Sequence, residues 1–254
     1  MIELDGRIVL LTGASRGIGA ATAGALGAAG ASVIAHYGSH RKGAEEAVAA
    51  IPAAERLLLQ ADLSQPGAAR TMWSDALAWR GRVHVVVVNA ATMPTTPFEG
   101  AEAEWDEGWR QALQVNVLEP AALIRAAVGH FLDQGGGTLI TLSSWAAQRG
   151  SAISSLAAYA ASKAALANLT QTVARNYAKD GILAHVVAPG IVRTRLSEAS
   201  AAARGGIEAV NAMLAMGEMV PPEEVAELVA FLATGTCRHL TGATIDLNGA
   251  SNVR

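Results

Sequence analysis

The sequence predicts an α/β fold, a doubly wound parallel sheet of about seven strands with helices on both faces. Three observations predict it. Short β-branched runs alternate with alanine-rich segments of helical period along the whole chain. The run VVVV at 85–88 is apolar without alternation, as a central strand covered on both faces must be. A glycine-rich turn, TGASRGIG, stands directly between the first strand and the first helix.

Taken in order, the first strand is expected at 7–12 (RIVLLT) and the helix after it at 17–29. Strands follow at 32–36, 56–60, 83–89, 137–142, 182–187 and 243–247. Helices at 66–79, 102–128, 157–179 and 222–233 fill the connections. The segment 195–220 is different. Its scattered Ser, Ala, Gly and Met read as loosely packed helix and loop, the kind of segment that moves over a site. No low-complexity linker interrupts the chain, so residues 1–254 are read as one domain.

Bulk properties exclude several functions. A formal net charge of -3 with no basic stripe offers nothing to neutralise a phosphate backbone, so no nucleic-acid partner is expected. The single cysteine, Cys237, has no disulfide partner and no zinc-ligand spacing, which suits a reducing cytoplasm and a protein without a metal. Acidic residues precede the short apolar run at the N-terminus, the reverse of a signal peptide. No apolar stretch is read as reaching membrane-spanning length, so no membrane is expected.

The turn Thr12, Gly13, Ala14, Ser15, Arg16, Gly17, Ile18, Gly19 opens an alanine-rich helix. Glycine lets a pyrophosphate approach the backbone, and the helix N-terminus offers it unpaired N–H groups. The spacing is G-x-x-x-G-x-G, and no Lys-Ser/Thr follows as a triphosphate loop requires. A tight strand-to-helix connection would look similar, but the ends of other strands decide the matter. Asp62 and Leu63 follow the third strand, where a carboxylate can bond an adenine amino group. Asn89, Ala90 and Ala91 follow the fourth, and Pro189, Gly190 and Ile191 the sixth. Small residues at the carboxyl ends of several strands form the dinucleotide crevice of a Rossmann-like sheet.

Tyr159 and Lys163 stand four apart in YAASK on an expected helix, which puts both side chains on one face. A phenol titrates near ~10, and bringing it ~3 pH units down to work near neutrality takes ~4 kcal/mol. Lys163 is the natural source of that stabilisation. Ser144 ends the fifth strand (GGTLITLSS) and offers a hydroxyl to a carbonyl oxygen as that oxygen gains negative charge. Singly, a Tyr and a Lys four apart are a common surface pair and adjacent serines a common strand end. Their joint placement behind a dinucleotide turn makes them a reaction centre.

With TGASRGIG at 12–19, VNAAT at 88–92, Asn116, Ser144, YAASK at 159–163, APGIVRT at 188–194 and LTGATIDLNGA at 240–250, the chain closely resembles the short-chain dehydrogenase/reductase family. The match runs essentially from end to end, and the chain is similar to the 3-oxoacyl carrier-protein reductases. This resemblance implies hydride transfer between a nicotinamide cofactor and a carbonyl or secondary alcohol. It implies that Tyr159 is the general acid or base, while Lys163 lowers the Tyr159 pKa and holds the nicotinamide ribose. It also implies that Asn116 anchors a water linking Lys163 to solvent, and that Thr194 bonds the nicotinamide carboxamide. In its own context, QVNVLEP, Asn116 reads as a helix-breaking polar residue near Pro120.

Two departures from the family pattern stand out. Ala91 occupies a position usually held by glycine, which adds a methyl group near the cofactor. Ser144 lies two residues farther from Tyr159 than in the commonest spacing, so the loop 145–156 is expected to be long. Either Ser143 or Ser144 then faces the substrate; Ser144 is favoured because the second serine of such a pair usually holds the role.

Cofactor choice is argued from the end of the second strand, VIAHYGSHR. No carboxylate stands near Tyr37 to bind a ribose 2'-hydroxyl, whereas Arg16, Ser39 and Arg41 can surround a 2'-phosphate, so NADP(H) is expected over NAD(H). Met93, Trp145, Ile153, Ile191, Leu196, Met213 and Met216 are the expected pocket lining, suited to an apolar ketone, a hydroxy compound or a carrier-protein or CoA thioester. Family resemblance implies a homotetramer built through 102–128, 157–179 and the last strand, with Trp105 and Trp109 packing near that contact. A nonenzymatic NADP(H) sensor is the rival outside enzymes, but it would need no proton relay. Dehydratases and epimerases on related folds are the rival within them; they carry a larger C-terminal substrate region.

Overall fold

The computed structural model describes residues 2–202 and 205–253, with the side chains of Leu196 and Ala199 outside that description. Its elements run in the order Ile8–Leu11 (β1), Gly17–Ala28 (α1), Ser32–Tyr37 (β2), Arg41–Ala47 (α2), Arg56–Gln60 (β3), Ala68–Arg80 (α3) and Val85–Val88 (β4). Next come Glu102–Leu113 (α4), Glu119–Asp133 (α5), Gly137–Leu142 (β5), Ala146–Arg149 (α6), Ala157–Tyr177 (α7) and Ile182–Pro189 (β6). Arg195–Ala202 (α8), Ile207–Asn211 (α9), Pro222–Ala233 (α10) and Thr244–Leu247 (β7) complete the described chain.

The strands form one parallel sheet in the order β3-β2-β1-β4-β5-β6-β7. The order in which strands are added reverses between β1 and β4, which pair in parallel at Leu11 and Val87. Connections leave those two strand ends in opposite directions, and the crevice between them is where such sheets bind ligands.

The two-residue period of each strand divides the core. Val9 and Leu11 pack with Leu26 of α1 and Val225 and Val229 of α10. Ile8 and Leu10 face the other way, toward Met72 of α3, Leu123 and Ile124 of α5, and Leu166 of α7. Burial of both faces is the physical reason that 85–88 is uniformly valine. Each such aliphatic side chain contributes about 1.5–3 kcal/mol by leaving water.

Two expectations need correction. The helix expected at 102–128 extends to Asp133 and contains a π turn at Gln114–Leu118, where the Glu119 N–H bonds the Gln114 carbonyl five residues back. Pro120 accounts for it: proline lacks the N–H that would bond the carbonyl of Asn116. The helix therefore widens at Asn116 instead of breaking. The resulting 32-residue helix is long and apolar enough to cross a membrane by length and composition, contrary to the sequence reading; 44% of its most apolar window is buried inside the protein.

The second correction is α2, which the sequence reading left out. Its seven residues carry two exposed i,i+4 pairs, Arg41 with Glu45 and Lys42 with Glu46. The segment 195–220 is helix and loop, as its composition suggested. It holds α8 and α9 around a small core of Ala201, Val210 and Met219, and a bridge from Val192 to Val220 ties its end back to the loop after β6.

Candidate active site

The turn after β1 is built so that no side chain fills it. A Cβ on Gly13 would stand 2.9 Å from the Ala90 Cα, one on Gly17 would stand 2.8 Å from Thr194 Cγ2, and one on Gly19 would collide with the Gly13 carbonyl. Gly13 and Gly17 also have φ of 72° and 51°, which favour glycine. The N-terminus of α1 has no side-chain cap, so its first N–H groups are available to an anion. This cradle fits a dinucleotide pyrophosphate.

Asn89 ties neighbouring strand ends together, as its position suggested. Its Nδ2 donates to the carbonyls of Thr12 at 2.9 Å and Gly13 at 3.1 Å, while Thr12 Oγ1 accepts the N–H groups of Asn89 and Ala90. Ala91 is exposed, so its extra methyl meets no core packing. Sequence reading missed His36. This residue is 2% exposed, and its Nδ1 accepts the Gly13 N–H at 3.1 Å. That bond puts the ring proton on Nε2, which donates to the Ala61 carbonyl at 3.0 Å. One imidazole thus joins the ends of β1, β2 and β3. Its signal was a polar side chain inside the wholly buried strand SVIAHY.

At the far end of the crevice, Asp62 Oδ1 accepts both the hydroxyl and the N–H of Ser64, which hold its carboxyl below the ordinary range. Leu63 beside it is buried. The nearby start of α3 is fixed by Glu119, whose two oxygens accept the N–H groups of Gly67 at 2.9 Å and Ala69 at 2.7 Å. Tyr37 is buried; Arg16 and Ser39 are exposed. Arg41 is exposed as well, with its Nε paired to Glu45 at 2.8 Å.

The reacting residues meet where β5 ends beside α7. Ser143 Oγ donates to the Lys163 carbonyl at 3.0 Å, which turns that hydroxyl into the helix. Ser144 Oγ accepts the Ala146 N–H at 3.2 Å and also engages the Tyr159 hydroxyl. Both line a cavity of about 260 Å³ with Met93, Trp145, Ile153, Ile191 and Thr194. Met213 and Met216 do not line it and are 62% and 67% exposed; the Leu196 side chain lies outside the described residues. The structure adds Ile18, Arg149, Leu156 and Val210 to the wall. The longer loop after Ser144 is taken up by α6 and a short 3-10 turn at Ser154–Leu156.

Lys163 lies behind Tyr159, 3% exposed, with Nζ 5.9 Å from the phenol ring centroid and donating to the Leu142 carbonyl at 2.7 Å. Burial brings its pKa down to about 8. Burial pushes the Tyr159 phenol up, with the Ser144 hydrogen bond acting against it. Desolvation favours the neutral form of each. Asn116 is buried beside α7. Its Nδ2 donates to the Thr92 carbonyl and to Ser162 Oγ, both at 2.9 Å, and its Oδ1 accepts the Thr92 N–H at 2.8 Å. The side chain stitches the loop after β4 to α7.

Across the crevice, the Gly190 N–H donates to the Leu247 carbonyl at 2.9 Å, and a Cβ on Gly190 would stand 2.9 Å from Asn248 Cβ. Pro189 ends β6, and Pro189, Gly190 and Ile191 all line the cavity. Thr194 is held by Ser197, whose Oγ accepts the Thr194 N–H at 2.9 Å. Among the described residues no His, Cys, Asp and Glu group is arranged to hold a metal.

A proton donor opening onto the same crevice as a dinucleotide cradle defines an oxidoreductase that works with a nicotinamide cofactor. Comparison with known proteins makes this specific. A family model described as enoyl-(acyl carrier protein) reductase matches residues 13–250. The chain is 34% identical to 3beta-hydroxysteroid dehydrogenase 1 of Eggerthella lenta, over 97% of this chain and 94% of that protein. It is 31% identical to the 3-oxoacyl-[acyl-carrier-protein] reductase FabG of Escherichia coli, over 98% of each. A crystal structure of a 3-oxoacyl (acyl-carrier-protein) reductase from Agrobacterium tumefaciens with NADP bound superposes with a TM-score of 0.88 at 33% identity, covering 98% of this chain and 95% of that one. The chain belongs to the short-chain dehydrogenase/reductase family and is an oxidoreductase.

Proposed function

We propose that the protein uses NADPH to reduce an apolar ketone, or the keto group of a 3-oxoacyl thioester on CoA or a carrier protein, to a secondary alcohol. The observation that carries this reading is the placement of Ser144 and Tyr159 together in one largely apolar cavity beside the glycine cradle. When bound, the nicotinamide supplies the hydride. Ser144 donates a hydrogen bond to the carbonyl oxygen as charge develops there. Tyr159, kept protonated by burial, delivers its proton to the same oxygen. Lys163 holds the nicotinamide ribose and supplies positive charge behind the phenol. Asn116 positions the loop at Thr92 and the adjoining turn of α7.

Preference for NADPH is supported by the exposed Arg16 and Ser39 and by the absence of a carboxylate at Tyr37. Thr194 sits over Gly17, within reach of a carboxamide lying in the crevice. Assembly as a homotetramer is supported by Phe98, Leu113 and Leu118, which are 66%, 38% and 57% exposed. Trp105 of α4 packs at tilted angles against Phe98, which precedes that helix, and against Trp109 one turn on. The unpaired, exposed Cys237 suits a reducing cytoplasm. The test is NADPH consumption with a panel of ketones, aldehydes and 3-oxoacyl thioesters. Turnover of one carbonyl class supports the reading; no turnover of any class, with NADPH bound, defeats it.

A further inference from the structure

Among the described residues that line the cavity, one side chain is charged. Arg149, the last residue of α6, lines it together with Ser144, Tyr159, Trp145 and Ile153. Its guanidinium lies 4.3 Å from the Trp145 ring centroid. Among the described residues no carboxylate pairs with it. Stacking uses the flat face of a guanidinium and leaves its N–H edge free, and that edge is what grips a carboxylate with two parallel hydrogen bonds. The preceding residue steadies the helix: Gln148 Nε2 donates to Asp246 Oδ1 at 3.2 Å.

We infer that Arg149 is an anion anchor for the substrate, and that the site takes an oxo or hydroxy compound bearing a carboxylate. The inference rests on the carbonyl reduction proposed above and names the substrate class for that same site. Spacing selects the anion. Arg149 follows Ser144 by five residues that end in α6, an advance of ~7.5 Å along a helical path, which suits an anion set a ring or a short alkyl chain away from the carbon reduced. Trp145 and Ile153 give that spacer an apolar wall. The phosphate of a carrier arm is many bonds farther from its thioester carbonyl and suits this spacing poorly.

Arg149 is exposed, so solvent screens the pair and the expected preference is about tenfold. The experiment measures kcat/KM for NADPH-dependent reduction of 4-oxocyclohexanecarboxylate and of its methyl ester, in the wild type and in Arg149→Met. The wild type is expected to prefer the acid about tenfold through KM, and added salt and Arg149→Met are each expected to erase most of that ratio. Because the ratio compares two substrates on one enzyme, general damage from the substitution cancels. A ratio unchanged in Arg149→Met, or a wild type that favours the ester, overturns the anchor. Acetoacetyl-CoA is run alongside, and a loss on that thioester equal to the loss on the oxo acid assigns Arg149 to a phosphate and overturns the carboxylate. Calorimetry with cyclohexanecarboxylate on the NADP-loaded protein separates the two claims. Binding by the wild type that Arg149→Met loses, without turnover of any carbonyl, keeps the anchor and sinks the reduction; absence of both sinks both.

Discussion

Ser143 donates its hydroxyl to the backbone carbonyl of Lys163 at 3.0 Å, and that bond leaves Ser144 as the serine whose hydroxyl meets Tyr159. Two neighbouring substitutions should therefore behave differently. Ser144→Ala is expected to lower kcat/KM about 10²–10³-fold by removing a donor to the developing oxyanion. Ser143→Ala is expected to cost about 1 kcal/mol of stability and far less activity. Steady-state kinetics and thermal unfolding on the pair decide it, and the opposite pattern would reassign the site to Ser143.

Proton inventory sets the pH profile. Burial raises the Tyr159 pKa, so at neutral pH the phenol carries the proton that carbonyl reduction requires. Alcohol oxidation requires the phenolate. Reduction should stay level while both Tyr159 and Lys163 hold their protons and decline once the pH passes the Lys163 value of about 8, while oxidation climbs with pH as the phenolate becomes more accessible. Lys163, with its pKa near about 8, loses its charge in the declining region. Oxidation that peaks at neutral pH would contradict this assignment.

The glycine cradle makes a paired test within one helix. A Cβ at Gly19 would meet the Gly13 carbonyl, so Gly19→Ala should abolish cofactor binding, measured as loss of NADPH fluorescence enhancement. Gly24 has open space around its position, so Gly24→Ala should retain binding and raise stability by about 0.5–1 kcal/mol. Equal binding by both variants would show that the turn does not approach the cofactor.

Three histidines accept backbone N–H groups: His36 from Gly13, His84 from Ile8 at 2.9 Å and His130 from Val83 at 3.2 Å. Burial lowers the pKa of each, and for His84, with Arg82 and Arg7 adding to the effect, it falls to about 4. The folded state thus favours the neutral rings. Their contribution is complete above the unfolded value of ~6.5 and is lost as pH falls through the folded pKa. Tm should drop between pH ~6.5 and about 4, and His84→Gln should flatten that drop. A Tm independent of pH across the window would exclude this role.

How far the sequence spoke depended on whether a signal was local. The strand at 85–88, the turn at 12–19 and the pair Tyr159 and Lys163 were legible because composition, period and spacing act over a few residues. The Ser143 choice was not, since it depends on a carbonyl twenty residues away. Nor was His36, whose two partners lie on different strands. The π turn was half visible: Pro120 was noted, but whether the helix would break or widen depended on the contacts Asn116 makes with Thr92 and Ser162. Arg41 and Arg149 show the same limit for charge. The fold pairs the Nε of Arg41 with Glu45 and brings Arg149 into the cavity wall.

The most direct measurement replaces Tyr159 by Phe and follows both NADPH binding and carbonyl reduction. The cavity shape is kept and the proton donor is removed. NADPH affinity within a few-fold of wild type, with kcat/KM for reduction lowered at least about 10³-fold, is the expected result. Reduction at near wild-type rate by the Phe variant would contradict the assignment of Tyr159 as the proton donor.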